Sequence, residues 1–397
     1  MAEGGGVRQR GWVGRLIGLA GAVSLSACAT VIPRTVVQAP PPVERAPEPE
    51  RVDTGTTGIP RDTQRNRVAL LVPLSGGNAG VGQSIANATQ LALLDTGTTQ
   101  VRVTTYDTAT GAAIAARRAI DEGAQLILGP LLADDARAVG PIARAAGVPV
   151  LSFSNDQGVA GQGTYVMGYT PVQSVERVVD YARARGVTSF AGLVPNGLYG
   201  ERVSTAFLRA VEAGGGQVMS LQTYSRTPAS IAGAAARVAA KAPFGAVLVA
   251  DGGATAAVAA PAAKRGSPGA RVLGTELWNT EAGVAARPQL AGAWFASVSD
   301  GLYRQFAVKY RARFGTGPYR LASLGYDAVL LTVRIARDWR VGARFPESRL
   351  RDPDGFAGLD GAFRFGGSGV AERALEVQEI RGGQAVVVSP APARFGR

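Results

Sequence analysis

Short apolar runs alternate with helix-like stretches along most of the chain, and this alternation limits the fold more than any single motif does. Four early runs have the length and apolar content of buried strands: 68–74, 101–107, 124–129 and 148–154. Three more follow in the same rhythm: 189–195, 217–224 and 245–251. Strands that alternate with helices form parallel sheets covered by helices. Two consecutive units of this kind therefore predict an α/β protein whose two lobes face each other across a cleft.

The chain contains no histidine, and this absence excludes several kinds of active site. Nucleophile pairs of the Ser-His and Cys-His type need an imidazole base, and His-ligated metal sites need an imidazole ligand. No other set of acid, base and nucleophile stands out among the 397 residues. We therefore expect a protein that is not an enzyme, with no catalytic residues, no metal and no cofactor.

The formal net charge is +12, from 42 Lys and Arg against 30 Asp and Glu. These cations are scattered, and no basic run or aromatic-and-Arg module is present of the kind that follows a phosphate backbone and stacks bases. The charge pattern therefore predicts no nucleic-acid partner. Attraction to an anionic membrane or cell-wall polymer stays open.

The N-terminus has the layout of a secretory signal. Arg8, Arg10 and Arg15 precede the apolar segment 16–25, which is shorter than the roughly 20 residues of a membrane-spanning helix. The sequence "LSAC" that ends at Cys28 resembles the lipobox of bacterial lipoproteins. This resemblance implies a signal peptide at 1–27 and a lipid on Cys28. The alternative is a buried structural cysteine after an apolar helix.

Residues 28–67 are rich in Pro, Thr, Arg and Glu, as in "QAPPPVERAPEPE". Such a composition buries too little apolar surface to fold, and proline favours an extended chain that rises about 3.1 Å per residue. We therefore predict a disordered tether behind the lipidated Cys28. Ala29 stands where retention in the inner membrane favours Asp in many Gram-negative lipoproteins, so the resemblance implies anchoring at the periplasmic face of the outer membrane.

Six stretches from Val68 onward resemble one family, the type I periplasmic ligand-binding proteins of the leucine-binding-protein-like group. They are "LLVPLSG" (70–76), "LILGPL" (126–131), "GVPVLSFS" (147–154), "LYGERV" (198–203), "GYDAVLL" (325–331) and "GLDGAFRFGGSGVAER" (358–373). The resemblance implies two lobes, each a mostly parallel sheet flanked by helices, with a ligand cleft between them. It also implies three crossings, which we expect near Gly168, Trp294 and Arg344. The expected lobes are 68–169 plus 297–344, and 170–296 plus 345–397.

Ligands of open α/β sheets bind at the carboxyl ends of the strands. The polar and aromatic residues that follow the predicted strands are therefore our candidates for the cleft: Ser75, Asp134, Ser152, Ser154, Asn155, Tyr199, Asp251 and Glu276. Tyr199, together with Trp278, has a second interpretation of equal weight, which is packing in the core.

The segment "GPLLADD" (129–135) departs from the pattern of amino-acid receptors in this family. Their loops after the third and fourth strands hold the ligand carboxylate with hydroxyls and backbone amides, whereas this chain has Ala133, Asp134 and Asp135. Carboxylates that face a bound carboxylate would repel it. The simpler interpretation of the two aspartates is that they stabilise a helix N-terminus.

Two functions fit these observations. Four runs, 70–76, 128–155, 166–186 and 199–218, look like the C-terminal domain of the lipoprotein activators of penicillin-binding proteins. This resemblance implies a peptidoglycan synthase or a cell-wall fragment as partner. The best-known activator has a helical-repeat domain where this chain has only the tether. The alternative is a substrate-binding lipoprotein of an ABC transporter for branched-chain amino acids or another small polar solute. We favour the activator.

Overall fold

A computed structural model of the protein describes residues 64–281, 283–392 and 395. The predicted signal peptide, Cys28 and nearly all of the predicted tether lie outside the described residues. The strands are β1 Asn66–Val72, β2 Val101–Asp107, β3 Leu126–Leu128, β4 Val150–Ser152, β5 Thr164–Val166, β6 Ser189–Pro195, β7 Gln217–Tyr224, β8 Ala246–Val249, β9 Arg271–Gly274, β10 Trp294–Ser297, β11 Phe356–Gly358, β12 Gly361–Phe365, β13 Ala371–Arg373, β14 Glu376–Arg381 and β15 Gln384–Ser389. The helices are α1 Ala79–Thr96, α2 Ala112–Asp121, α3 Ala133–Ala146, α4 Pro171–Arg183, α5 Leu198–Ala213, α6 Pro228–Ala239, α7 Gly253–Ala263, α8 Leu277–Thr280, α9 Gly301–Phe314 and α10 Ala322–Ala336.

The first lobe is built on a parallel sheet with the strand order β2-β1-β3-β4-β5. Its central strands are apolar and buried on both faces, as all-parallel sheets require. Helices α2 and α3 cover one face, and α1 packs with α10 on the other. The sequence predicted β1 to β4 near their observed positions. It predicted no strand at β5, which is only three residues long.

The second lobe is built on a seven-stranded sheet with the order β15-β14-β10-β9-β8-β6-β7. Strands β6 to β10 are parallel, and β14 and β15 add an antiparallel edge. Helices α4 and α5 pack on one face of this sheet, and α6 and α7 pack on the other. These two layered sheets confirm the predicted two-lobed α/β fold.

Strands β11, β12 and β13 form a third, antiparallel sheet. It packs against α10, and Val370 bridges to Val166 of β5, so these strands contact the first lobe. The chain joins the second sheet only at Glu376. We therefore propose that the third crossing lies between β13 and β14 rather than near Arg344, where the sequence placed it.

The first βα turn of each lobe requires a glycine at the same place. A Cβ on Gly82 would lie 1.7 Å from the carbonyl oxygen of Pro73, and a Cβ on Gly200 would lie 1.7 Å from that of Pro195. Pro73 follows β1, and Pro195 ends β6. Gly82 and Gly200 lie in the first turns of the helices that come next, α1 and α5. Glycine thus lets both helices pack directly against the strand ends.

Across the part of the chain that the structure describes, no helix has the length and apolar content needed to cross a membrane.

Candidate functional site

Ser75 lies at the exposed carboxyl end of β1. Its hydroxyl donates to Asp107 Oδ2 at 2.9 Å, and Asp107 also accepts from the Leu74 amide at 2.8 Å. These backbone and side-chain hydrogen bonds lower the pKa of Asp107, because they stabilise its charged form. Ser75 is therefore held at the rim of the first sheet by a carboxylate from the neighbouring strand.

Asp134 and Asp135 lie in the first turn of α3. The Asp134 side chain is 96% exposed and forms an ion pair of 2.7 Å with Arg137 of the same helix. Asp135 is half-buried, and this burial raises its pKa. Both positions suit the helix N-terminus, where backbone amides are free and the dipole favours negative charge.

Ser152 and Ser154 are buried, and both hydroxyls bind backbone groups of the loops after β3 and β4. Ser152 Oγ donates to the Pro130 carbonyl at 3.1 Å, and Ser154 Oγ accepts from the Asp156 amide at 3.1 Å. Asn155, which follows Ser154, is exposed. The two serines thus fix the shape of the loop after β4, and their contact with a ligand stays a prediction.

Asp156 follows Asn155 in this loop, and the sequence reasoning did not predict its partners. Its carboxylate is buried, and it pairs with Arg137 of the first lobe and with Nε of Arg202, 3.6 Å away on α5 of the second lobe. No sequence spacing connects residues 156 and 202, because the contact exists only when the two lobes face each other.

Tyr199 and Glu276 meet at the strand ends of the second lobe. The Tyr199 hydroxyl donates to Glu276 Oε1 at 3.0 Å and lies 3.0 Å from the Thr275 hydroxyl. The Glu276 amide donates to Ser174 Oγ at 2.8 Å, which ties this turn to α4. Burial raises the pKa of Glu276 to about 7. The second lobe therefore holds a carboxyl group that can change its charge near neutral pH.

Asp251 is buried at the end of β8 and is fully engaged. It accepts from the Tyr224 hydroxyl at 3.0 Å and from Arg226 Nε at 2.9 Å. Its backbone carbonyl accepts from Trp278 Nε1 at 2.9 Å. Trp278 is completely buried within the core between the second sheet and α7. The sequence allowed Trp278 to be a cleft residue or a core residue, and the structure supports the core residue.

A buried ionic network forms around Arg320 and Asp360, and the sequence reasoning did not predict it. Arg320 Nη1 donates to Asp360 Oδ1 at 2.6 Å, and its guanidinium lies 3.9 Å from the centre of the Tyr303 ring. Tyr169, between β5 and α4, donates to the same Asp360 carboxylate. The network joins residues that are far apart in the sequence. The sequence shows their opposite charges but gives no spacing that would indicate which charges pair.

A narrow cavity lies among the segments that follow β5, β9 and β10 and the end of β13. Its walls are formed by Tyr169, Thr170, Gln173, Ser174, Glu276, Asn279, Val298, Arg373 and Leu375. About 310 Å³ is free of protein atoms, including the part open to solvent, but only about 10 Å³ admits the centre of a water molecule. Of the predicted cleft residues, only Glu276 lines this cavity.

Two lobes, each built on a helix-covered sheet, define the fold of a two-lobed binding protein. The profile of the periplasmic binding protein family matches residues 66–384, and the chain belongs to that family. An uncharacterized protein of Rickettsia prowazekii is 22% identical over 173 residues, which cover 43% of this chain and 46% of that protein. The match therefore spans less than half of that relative's length.

Solved structures of low sequence identity share the fold. A putative branched-chain amino acid ABC transporter protein of Rhodospirillum rubrum has a TM-score of 0.73 and 22% identity, with coverage of 82% of this chain and all of that one. A solute binding protein of Rhodopseudomonas palustris, solved with 3,4-dihydroxy benzoic acid, has a TM-score of 0.65 and 20% identity, with coverage of 84% of this chain and 98% of that one. Full-length LpoA of Haemophilus influenzae has a TM-score of 0.62 and 21% identity, with coverage of 82% of this chain and 59% of that one.

Proposed function

We propose that this periplasmic binding protein is a non-enzymatic, lipid-anchored partner of peptidoglycan synthases, of the activator type. The observation that carries the proposal is the state of the first-lobe strand ends. Ser152 Oγ donates to the Pro130 carbonyl in the loop after β3, Ser154 Oγ accepts from the Asp156 amide, and Asp134 adds a carboxylate at the start of α3. A lobe with these groups is poorly suited to grip the carboxylate of a free amino acid.

The N-terminal sequence supports the same proposal. A lipid on Cys28, followed by a Pro-rich tether, would hold the folded body tens of ångströms from a membrane. A protein that must reach a membrane-bound synthase or a cell-wall fragment needs this length. The resemblance of 70–76, 128–155, 166–186 and 199–218 to the lipoprotein activators of penicillin-binding proteins points to the same partner class.

The test is a pull-down of bifunctional peptidoglycan synthases from solubilised membranes with the full chain as bait. We expect a synthase to be retained at moderate salt and released as salt rises, because the chain carries a net charge of +12. A matched periplasmic binding protein that delivers amino acids serves as the control bait. Absence of any synthase at every salt concentration would overturn the proposal.

One observation favours the alternative, a solute-binding lipoprotein of an ABC transporter. The second lobe places a buried carboxyl group, Glu276, beside the Tyr199 hydroxyl at its strand ends. Such a group could accept hydrogen bonds from a ligand amine. Calorimetric titration with branched-chain amino acids decides between the two functions: micromolar binding would favour the transporter, and no heat of binding would favour the activator.

A further inference from the structure

A basic surface lies at the amino ends of the first-lobe strands, opposite the strand ends that carry the candidate cleft residues. Residues 337–351, between α10 and β11, contain five arginines and two acidic residues. The Trp339 carbonyl accepts from Nδ2 of Asn66, the first residue of β1, at 2.9 Å. A Cβ added to Gly147, which precedes β4, would lie 3.2 Å from Nη1 of Arg344. Residues 337–351 and the last turn of α3 thus form one surface, which we call the basic pole.

The acidic residues of the basic pole do not neutralise its cations. Asp338 pairs with Arg349 at 2.9 Å, and Glu347 accepts from the Tyr165 hydroxyl at 2.8 Å. Four other arginines of this surface are exposed and form no ion pair within the part of the chain that the structure describes: Arg144, Arg337, Arg340 and Arg344. A cluster of unpaired, exposed cations creates a positive potential that attracts an anionic surface.

A fixed turn presents an apolar side chain between two of these arginines. The Ala343 amide donates to the Arg340 carbonyl at 3.1 Å, and Gly342 has a φ of 81°, which favours glycine. The buried Trp339 donates from Nε1 to the Ala343 carbonyl at 2.9 Å and so holds the turn in place. Val341, at the tip of the turn, is 44% exposed.

We propose that the basic pole docks on a bilayer that contains anionic phospholipid. The arginines would bind headgroup phosphates, whose geometry matches the guanidinium fork. Val341 would lie at the boundary with the acyl chains, where burial of apolar surface adds to the electrostatic attraction. A hydrated anionic polymer such as peptidoglycan offers no apolar layer for this valine, so the turn favours a lipid surface.

The path of the chain supports the same surface. The residues before Asn66 enter the folded body beside Trp339, so an anchor at Cys28 would bring the basic pole toward the membrane. The tether then sets the farthest reach of the body, and the basic pole adds a position at the membrane itself. In that position the carboxyl ends of the first sheet point away from the bilayer. This docking goes beyond the proposed partner role and does not depend on it.

The test places an environment-sensitive nitrobenzoxadiazole probe at the tip of the turn. Cys28 is the only cysteine, so the full chain with Cys28→Ala and Val341→Cys has a single labelling site. With vesicles of phosphatidylglycerol and phosphatidylethanolamine we expect a blue shift of the emission, which is lost as salt rises. Vesicles of phosphatidylcholine should give no shift. Val258→Cys labels an equally exposed type of site on α7 of the second lobe and should give no shift with either vesicle.

Charge removal then tests the arginines. In the chain labelled at position 341, Arg340→Gln with Arg344→Gln should lower the docking constant at least about 10-fold, because each basic residue near an anionic bilayer contributes roughly fivefold. Arg209→Gln with Lys241→Gln removes the same charge from exposed positions of the second lobe and should leave docking unchanged. Every variant keeps residues 1–27, so any attachment through that segment is common to all of them.

Arg144→Gln with Arg337→Gln repeats the test if the first pair does not fold by circular dichroism. The proposal is overturned if the label at position 341 does not shift with anionic vesicles, if phosphatidylcholine gives an equal shift, or if the second-lobe pair lowers docking as much. Sedimentation of the chain with purified peptidoglycan but not with vesicles would also overturn it. Docking without synthase capture would reject the partner role alone, and the reverse result would reject this surface alone.

Discussion

Arg202 Nε lies 3.6 Å from Asp156 Oδ1, and this ion pair joins α5 of the second lobe to the loop after β4 of the first. Arg137 of the first lobe binds the other carboxylate oxygen of Asp156. Asp156 is buried, whereas both arginines are partly exposed. One carboxylate thus connects the two walls of the cleft.

We predict that Arg202→Gln shifts the protein toward a more open arrangement of its lobes. The pair is partly exposed, so its loss should cost about 0.2–1 kcal/mol and change the open-to-closed ratio by roughly 1.4-fold to fivefold. Distances between spin labels on the two lobes measure this ratio. Arg209→Gln on the same helix is the control, and an equal shift in both variants would show that the ion pair is not responsible.

We predict that Gly82→Ala and Gly200→Ala each destabilise the protein by about 2 kcal/mol or more, because a Cβ would overlap the backbone carbonyl of Pro73 or Pro195. Urea unfolding followed by circular dichroism gives the change. Gly77→Ala is the matched control, since a Cβ at Gly77 meets nothing within 4 Å. Similar midpoints for all three variants would contradict the close helix-to-strand approach.

We predict that Arg320→Met costs about 3–5 kcal/mol of folding free energy, because it leaves the buried Asp360 carboxylate without its cation. Arg349→Gln removes an arginine from an exposed pair with Asp338 and should change stability by less than about 1 kcal/mol. Thermal and urea unfolding compare the two. Adding Asp360→Asn to Arg320→Met should recover part of the loss, and no recovery would argue against an unpaired charge as the cause.

The folded-state pKa of Glu276 is raised from 4.5 to about 7. Between these values the folded state keeps a proton that the unfolded state has released, so the contribution of Glu276 to stability falls as pH rises through this window. We predict that the free energy of unfolding of Glu276→Gln, taken relative to that of the natural protein, rises by about 3 kcal/mol between pH 4 and pH 8. Urea unfolding at both pH values measures the difference, and a pH-independent difference would refute the raised pKa.

We predict that the natural protein incorporates labelled palmitate and that Cys28→Ala does not, because the thiol of the lipobox cysteine carries part of the lipid. Fractionation should place the natural protein with the outer membrane and Cys28→Ala elsewhere. Ser26→Ala keeps a small residue before the cysteine and is the control. Label in Cys28→Ala would mean that the lipid is attached at another residue.

The larger elements could be predicted from the sequence because their signals are local. Strand β6 has the bounds 189–195 in both the prediction and the structure, since an unbroken apolar run identifies a strand buried on both faces. Strand β5 and the sheet of β11 to β13 gave no such signal. They are short and glycine-flanked, and they become strands by pairing with neighbours that are already in place.

The candidate site was only partly predictable. Glu276 was a candidate because polar residues after strands gather at one edge of a sheet, and it lies in the wall of the cavity. Asp156, Arg320, Asp360 and Arg373 were not found, because each is defined by a partner or a cavity formed by segments far apart in the chain. Arg373 is one arginine among many in the sequence, and only its burial beside Tyr169 and Phe363 sets it apart.

The sequence by itself determined the two-lobed α/β fold, since hydrophobic periodicity and glycine at the βα turns act over a few residues. The tertiary structure alone decided how charges are paired and where polar atoms stay unpaired. Those properties depend on burial and on distances of a few ångströms between the lobes, and neither quantity is written in the order of residues along the chain.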